Sequence, residues 1–338
     1  MSWLRALKGK GKETQSKCAS PPGPPPDFIA PPEWKPAPEA SHTLGLYADA
    51  PDDEYEAAEQ FCRQHPAEPP KLLPSHVVER IDALGCQAWG FEIPPTPRFR
   101  GSIHNVGGDG KSGLGVVKIA TEKACLDICI LSDLPILAGL YDVQGKLGVY
   151  YEVKILRMDG LVAVGEFAPG LDFPYNADAQ SFPSPGSACR PYPHWRLPGW
   201  NRLSAGLHLD DFRKFFEDPD GGRDYTPLLT RLSPGDTIGF GYAFALGTVF
   251  FTRNGARLPD AFTGVYLPRP QHDVYAAIGV EGACELEVNF GGDVFRWKEG
   301  NEWAWRVEGH VGTLAGGPSG TEDELPSYEE ARGNRRGR

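Results

Sequence analysis

The sequence predicts an all-β protein: a two-sheet antiparallel β-sandwich over residues 89–300, with short helices before it and disordered segments at either side. Three observations carry this. From Trp89 onward the apolar residues recur with a period of about 2 rather than 3.6. Glycine- and proline-rich punctuation separates the alternating runs. No periodic helix lies between them, which argues for a sandwich and against a parallel α/β sheet. The chain's 338 residues are enough for one large domain with a full core.

In chain order, residues 1–50 form a basic and proline-rich segment predicted to be disordered. Nine prolines between residues 19 and 38 fix φ so often that an extended polyproline II linker is expected there. Residues 51–88 read as a helical lead-in. In DDEYEAAEQFCR (52–63), Asp52 is the expected cap, and Tyr55, Ala58, Phe61 and Cys62 share one face. A second helix is expected after a cap at Ser75, with Val77, Val78, Ile81 and Leu84 on its apolar stripe and Gly85 at its stop.

Within the main domain, GVYYEVKIL turns Val149, Tyr151, Val153 and Ile155 to one side and Tyr150, Glu152 and Lys154 to the other, so one core-facing side is expected. DTIGFGY and CELEVNF alternate in the same way, with Glu285 and Glu287 outward, and Val153, Phe240, Phe251, Leu286, Val288 and Phe290 are the predicted core. GTVFFTRNGARL carries Asn254-Gly255 after a β-rich run, which suits the two positive-φ positions of a tight hairpin. DDFRKFFED (210–218) reads locally as a short helix with Phe212, Phe215 and Phe216 on one side. Residues 301–338 form a tail that turns glycine-rich and charged after about residue 306 and is predicted to be disordered.

Several classes of function drop out. A formal charge of -11 disfavours a phosphate-tracking surface, so no nucleic-acid partner is expected. The most apolar stretch, 129–141, is broken by Ser132, Asp133 and Pro135, and no apolar run follows the basic N-terminus, so neither a membrane span nor a secretory signal is expected and the chain is placed in the cytoplasm. The seven cysteines are widely spaced without a C-x-x-C pair and read as free thiols, with no metal site and no cofactor. Gly110-Lys111-Ser112 imitates the end of a phosphate-binding loop, but Asn105 stands where that loop needs a glycine, and VVKIA follows as a strand. Asp210-Asp211 reads as a surface turn, and no nucleophile elbow or histidine pair supports catalysis. A carbohydrate-active sandwich would need two facing carboxylates, and no second strand offers a partner to Glu285 and Glu287.

The succession GVYYEVKIL, RLPGWNRLSAGLHLDD, LSPGDTIGFGY, GTVFFTRNGARLPDAFTG and VYAAIGVEGACELEVNFGG resembles a SPRY domain over about residues 89–300. Within that group it is most similar to fungal endosomal and vacuolar SPRY adaptors that deliver membrane cargo to a WW-domain HECT ubiquitin ligase. The resemblance implies a non-enzymatic adaptor: the sandwich recognises a protein or peptide cargo, and the tail recruits the ligase. It also implies peripheral association with endosomal or vacuolar membranes through partners, and a strand at LSAGLHL followed by a loop. Such adaptors commonly carry an N-terminal transmembrane helix, and none is seen in this sequence. This chain also has Leu-Pro-Ser-Tyr where Pro-Pro-x-Tyr is expected, an insertion over 168–194, and Phe212 where a glycine is common.

Two candidate sites follow. Leu325, Pro326, Ser327 and Tyr328 form the WW-ligand segment, with Pro326 and Tyr328 as groove contacts and Leu325 in place of the first proline. SACRPYPHWRLPGW (187–200) gathers Arg190, Tyr192, His194, Trp195 and Arg196 on a proline-stiffened segment, the side-chain types a recognition surface uses. Trp200 is assigned to packing. Tyr192, His194 and Trp195 are placed on an exposed loop, with the alternative that the insertion folds back and buries them. The rival to the adaptor reading is a SPRY scaffold subunit of a stable multiprotein complex without ligase recruitment.

Overall fold

A computed structural model describes residues 52–105, 115–158, 183–218, 221–265, 272–311 and 314–315. The proline-rich segment, the Gly110-Lys111-Ser112 tip, the VAVGEF run, the first part of the 168–194 insertion and the Leu325–Tyr328 motif lie outside these residues.

Thirteen strands among the described residues pair antiparallel into two sheets. They are β1 Gly101–Asn105, β2 Val116–Thr121, β3 Ile128–Leu137, β4 Gly148–Met158, β5 Ser184–Cys189, β6 Ser204–Leu207, β7 Arg213–Phe216, β8 Arg223–Asp224, β9 Thr237–Ala243, β10 Thr248–Arg253, β11 Ala256–Phe262, β12 Val274–Val280 and β13 Cys284–Asn289. One sheet runs β1-β2-β13-β4-β9-β10-β11 and the other β3-β12-β5-β6-β7-β8. The protein is the predicted two-sheet β-sandwich, with α1 Asp52–Gln64 and α2 Ser75–Leu84 before it.

The period-2 alternation puts one set of side chains from each sheet into a common core. The six predicted core residues, Val153, Phe240, Phe251, Leu286, Val288 and Phe290, are all fully buried. They face Ile128, Ile130, Ala276 and Ile278 of the second sheet within one cluster. On the other face Glu287 pairs with Lys154 at 3.3 Å and Glu285 with Lys118, the cross-strand ion pairs that the outward alternation makes available. Asn254 and Gly255, at φ 50° and 84°, form the two-residue turn between β10 and β11.

Four expectations are corrected. The back of GVYYEVKIL is closed at Tyr150 and Glu152, because residues 295–305 fold over them, while Lys154 on the same face stays part-exposed. Tyr150 and Phe250 are covered by Phe295, Trp297 and Trp305, and Glu152, 3 % exposed, accepts hydrogen bonds from Tyr150 Oη and the amides of Arg296 and Trp297. The packed fold therefore runs past residue 300, through short 3₁₀ turns at Glu299–Asn301, Trp303–Trp305 and Val307–His310, with Val307 fully buried. DDFRKFFED is not helical: Arg213–Phe216 is β7, because its alternation sends Arg213 and Phe215 into the packing and leaves Lys214 and Phe216 half-buried. Phe212 holds φ 59°, a left-handed turn that glycine would enter without strain and that interrupts any helix there. Finally, Ser75 lies inside α2. The cap position is Pro74, which makes no side-chain cap bond but whose carbonyl accepts the amides of Val77 and Val78. Gly85 ends this helix at φ 57°, as its position predicts.

Candidate protein-binding surface

The segment 190–203 does not extend as a free loop. After β5 it folds back over the outer face of the second sheet, where Leu197-Pro198-Gly199 lies in a trough made by Gly186 of β5, Gly206 of β6 and Gly279 of β12. A Cβ on any of these three would collide with Pro198 or a neighbouring backbone, so the glycines let the segment approach the sheet. Trp200 packs there with Leu197 and Phe215, as its place in the sequence predicts.

This path decides the fate of the predicted recognition residues. Tyr192 is buried, not exposed: its ring joins Cys129, Ala188 and Ala277, and its hydroxyl donates to Leu197 O at 2.7 Å while accepting the Asn201 amide. Burial pushes its phenol well above the usual range. Arg196 is fully buried too, with Nε donating to Asn201 Oδ1 at 3.0 Å and the guanidinium 4.4 Å from the Trp200 ring centroid. Both are excluded from surface contact because the proline-stiffened segment is pressed onto the sheet. Arg190 is half-buried, donating to Glu92 and Ser132 O over the Tyr275 ring. Only His194 and Trp195 turn their rings outward, edge to face at 5.0 Å and half-buried. Burial and the nearby Arg98 hold His194 below its ordinary pKa.

What stands over these rings is α1. Phe61 meets Trp195 edge-on at 5.6 Å, Trp195 Nε1 donates to Glu54 O at 3.4 Å, and Arg98 pairs with Glu54 at 3.0 Å. Asn201 Nδ2 donates to Glu59 at 3.3 Å, and Arg202 donates to the carbonyls of Cys62 and His65 at the helix's C-terminal end, where the orphan carbonyls and the macrodipole favour a cation. Under the first turn of α1 the half-buried Asp127 lies close to the carboxylates of Glu281 and Glu54. Burial first and these neighbours second push it up to about 7, against the pull of Arg98 and Arg196.

A second feature is one the sequence reading missed. Between β7 and the end of β11, where the edges of the two sheets separate, Leu203, Lys214, Phe216, Arg223 and Phe262 line a cleft of about 670 Å³. Phe216 and Phe262 sit 5.6 Å apart, and Lys214 donates to Ala261 O at 2.6 Å with its ammonium over the Phe262 ring. The signal was the alternation of Arg-Lys-Phe-Phe, masked by aromatics at the i, i+3 and i+4 positions Phe212, Phe215 and Phe216 that suggest a helix. Asp210 and Asp211 do form a turn: Asp211 accepts the Arg213 amide at 3.0 Å, and burial and Asp210 push its carboxyl up to about 7. No group of three or more His, Cys, Asp or Glu among the described residues is placed to hold a metal ion, and no described helix is long and apolar enough to cross a membrane.

Residues 148–293 match the SPRY domain, so the chain carries a SPRY domain. It is 30 % identical over 288 residues to "Protein ssh4" of Sclerotinia sclerotiorum, covering 83 % of this chain and 45 % of that protein. It is also 33 % identical over 208 residues to a SPRY domain-containing protein of Schizosaccharomyces pombe, covering 60 % of this chain and 45 % of the relative. The chain thus spans less than half the length of the curated relatives it matches. A crystal structure of a human SPRY domain aligns with a TM-score of 0.34 and 18 % identity, covering 56 % of this chain and 96 % of that one.

Proposed function

We propose that this SPRY-domain chain is a non-enzymatic protein-binding adaptor, in which the sandwich holds a protein or peptide cargo and Leu325-Pro326-Ser327-Tyr328 recruits a WW-domain HECT ubiquitin ligase. Ubiquitin transfer is then the ligase's chemistry, and the adaptor's part is to bring cargo to it for endosomal sorting, from the cytoplasm and peripherally on endosomal or vacuolar membranes. The observation that carries this reading is the presence in one chain of a SPRY domain, a protein-interaction fold, and a proline-tyrosine motif beyond it. One feature of the sandwich supports it, the aromatic and cationic cleft lined by Lys214, Phe216, Arg223 and Phe262. Aromatic and basic side chains on rigid supports are what binding hot spots use.

The tail is the part that separates this reading from a scaffold subunit. A peptide of residues 320–332 titrated against a ligase WW domain should bind at a micromolar or weaker dissociation constant, because few side chains reach the groove and the segment must be ordered on binding. Leu325→Pro should tighten it by up to about 1 kcal/mol by restricting the free chain. Tyr328→Ala should abolish it, as should phosphate on Tyr328, which adds about two charges at a site for a neutral ring. Equal signals from the native and Tyr328→Ala peptides would refute ligase recruitment and put the scaffold reading first.

A further inference from the structure

We infer that Arg98, Trp195, Asn201 and Arg202 form a seat for an acidic amphipathic helix, that α1 is its tethered and exchangeable occupant, and that a partner protein binds the sandwich by presenting such a helix in place of α1. The identity of the occupant's rival rests on the protein-binding reading above; the exchange of α1 does not.

The chemistry of the seat is specific to a helix. Arg202 takes two backbone carbonyls, those of Cys62 and His65, which are free to accept only at a helix C-terminus. Arg98 meets an acid in the first turn, Asn201 meets Glu59, and Trp195 takes both the Glu54 carbonyl and the edge of Phe61. Read along the helix, the seat asks for an acid, a small residue four positions on at Ala58, an acid at the next position, an aromatic at Phe61 and another small residue at Cys62.

Docking of α1 is also thin. Of its described side chains only Ala58 and Cys62 are buried, while Glu54, Glu59 and Phe61 are half-buried and Tyr55 is 36 % exposed. At its seat, Glu54 Oε2 and Arg196 Nη1 are buried with no hydrogen-bond partner among the described residues, and Glu54 faces the carboxylates of Asp127 and Glu281. Such orphaned groups weigh against the docked state. A helix of 13 residues is marginal in water by itself, so α1 unwinds when it leaves.

The tether keeps it near. From Glu68 onward the following segment is fixed to the sandwich, through Glu68 N to Arg190 O, Lys71 N to Asp273 and Leu73 N to Tyr141 Oη, so α1 pivots about residues 65–67. A short tether gives an effective concentration of about 1 mM. With an intrinsic dissociation constant of about 100 μM, α1 would occupy its seat roughly nine-tenths of the time and weaken a competing helix about tenfold.

The test uses the full chain and a labelled peptide of residues 50–66. Ala58→Arg places a charge where Ala58 is fully buried and lifts α1 while leaving the seat intact. The peptide should bind this variant at 100 μM or tighter and the native chain at least tenfold more weakly, and adding Arg202→Glu should remove binding. In the native chain, alkylation of Cys62 should run at least tenfold faster than that of Cys129, which lies under the sheet-bound segment. Absence of peptide binding to an Ala58→Arg chain that keeps its β-sheet circular dichroism would overturn the inference. So would equal protection of Cys62 and Cys129, which also decides the matter if Ala58→Arg fails to fold. Neither result touches the WW titration, so failure of the seat and failure of the adaptor reading are distinguishable.

Discussion

Trp305→Ala tests where the folded domain ends. The domain division read from the sequence puts residues 301–338 in a disordered tail, in which case truncating this ring is harmless. In the structure Trp305 is 6 % exposed and closes the second aromatic cluster, 5.6 Å from the Phe250 ring and 5.0 Å from Trp297. A buried tryptophan removes up to about 250 Å² from water, worth roughly 6 kcal/mol at 25 cal/mol per Å². Alanine keeps part of that burial and the gap partly relaxes, so the expected loss is about 3–5 kcal/mol, or roughly 6–20 °C in Tm for a domain of this size. Urea unfolding of the full chain followed by far-UV circular dichroism reads it, with Trp303→Ala as the internal control. Trp303 lies two positions away but is 62 % exposed under Lys146, so its loss should cost under about 1 kcal/mol. If both variants lose the same small amount, residues 301–311 are not part of the cooperative fold and the reasoning from burial fails.

Two further outcomes follow from the site. Asp127 has a folded-state pKa of about 7 against an ordinary 3.8, so the folded chain holds a proton that the unfolded chain has released between those values, and its contribution to stability falls as pH rises from about 4 to 7. Asp127→Asn should therefore raise Tm relative to the native chain at pH 8 and leave it nearly level at pH 4. Asp211 acts in the same direction and the buried His208, pulled down to about 4, opposes both below about pH 6.5. The difference between the two chains thus carries the test, and a lower Tm for the variant at pH 8 would refute it. Tyr192→Ala should cost about 3–5 kcal/mol, and Tyr192→Phe about 1–2 kcal/mol through the hydroxyl that Leu197 O, Asn201 N and Ser204 Oγ share. An unchanged Tm for Tyr192→Ala would mean the ring is on the surface after all.

Where a strand has one face in the core, alternation was sufficient: Val153, Leu286 and Phe240 could be assigned from period alone because their environment is set by the strand itself. The failures occur where a distant segment decides. Glu152 and Tyr150 read as outward because nothing in their own strand reveals that Phe295, Trp297 and Trp305 return to cover them. Tyr192 and Arg196 have the composition of a binding loop, and only the glycines at 186, 206 and 279, each on a different strand, show that a chain can be pressed onto the sheet there. The motif Asp52–Gln64 was legible as an amphipathic helix whose stripe must dock, but its seat could not be read because the seat is made by Arg98, Trp195 and Arg202 from two separate loops.

The described chain ends at one end of the sandwich, and this bears on the adaptor reading. Ala315 N donates to Leu140 O, and Leu314 bridges Tyr141, so the tail leaves from the loop that follows β3. The same end carries Leu147, bonded to Ala304 and to Phe244, and the turn whose Leu246 and Gly247 accept the amides of Gly264 and Val265 at the cleft. Nine residues lie between Ala315 and Leu325, so Leu325 lies within about 36 Å of Ala315. The 13 steps from Ala315 to Tyr328 span up to about 47 Å, more than the roughly 37 Å of the 11-residue β4, so on the adaptor reading a WW domain on Tyr328 can reach the cleft without being confined to that end of the sandwich. On that reading, cargo held in the cleft sits within the ligase's reach by chain length alone, and an insertion of about 20 residues after Ala315 should leave the affinity of either contact unchanged.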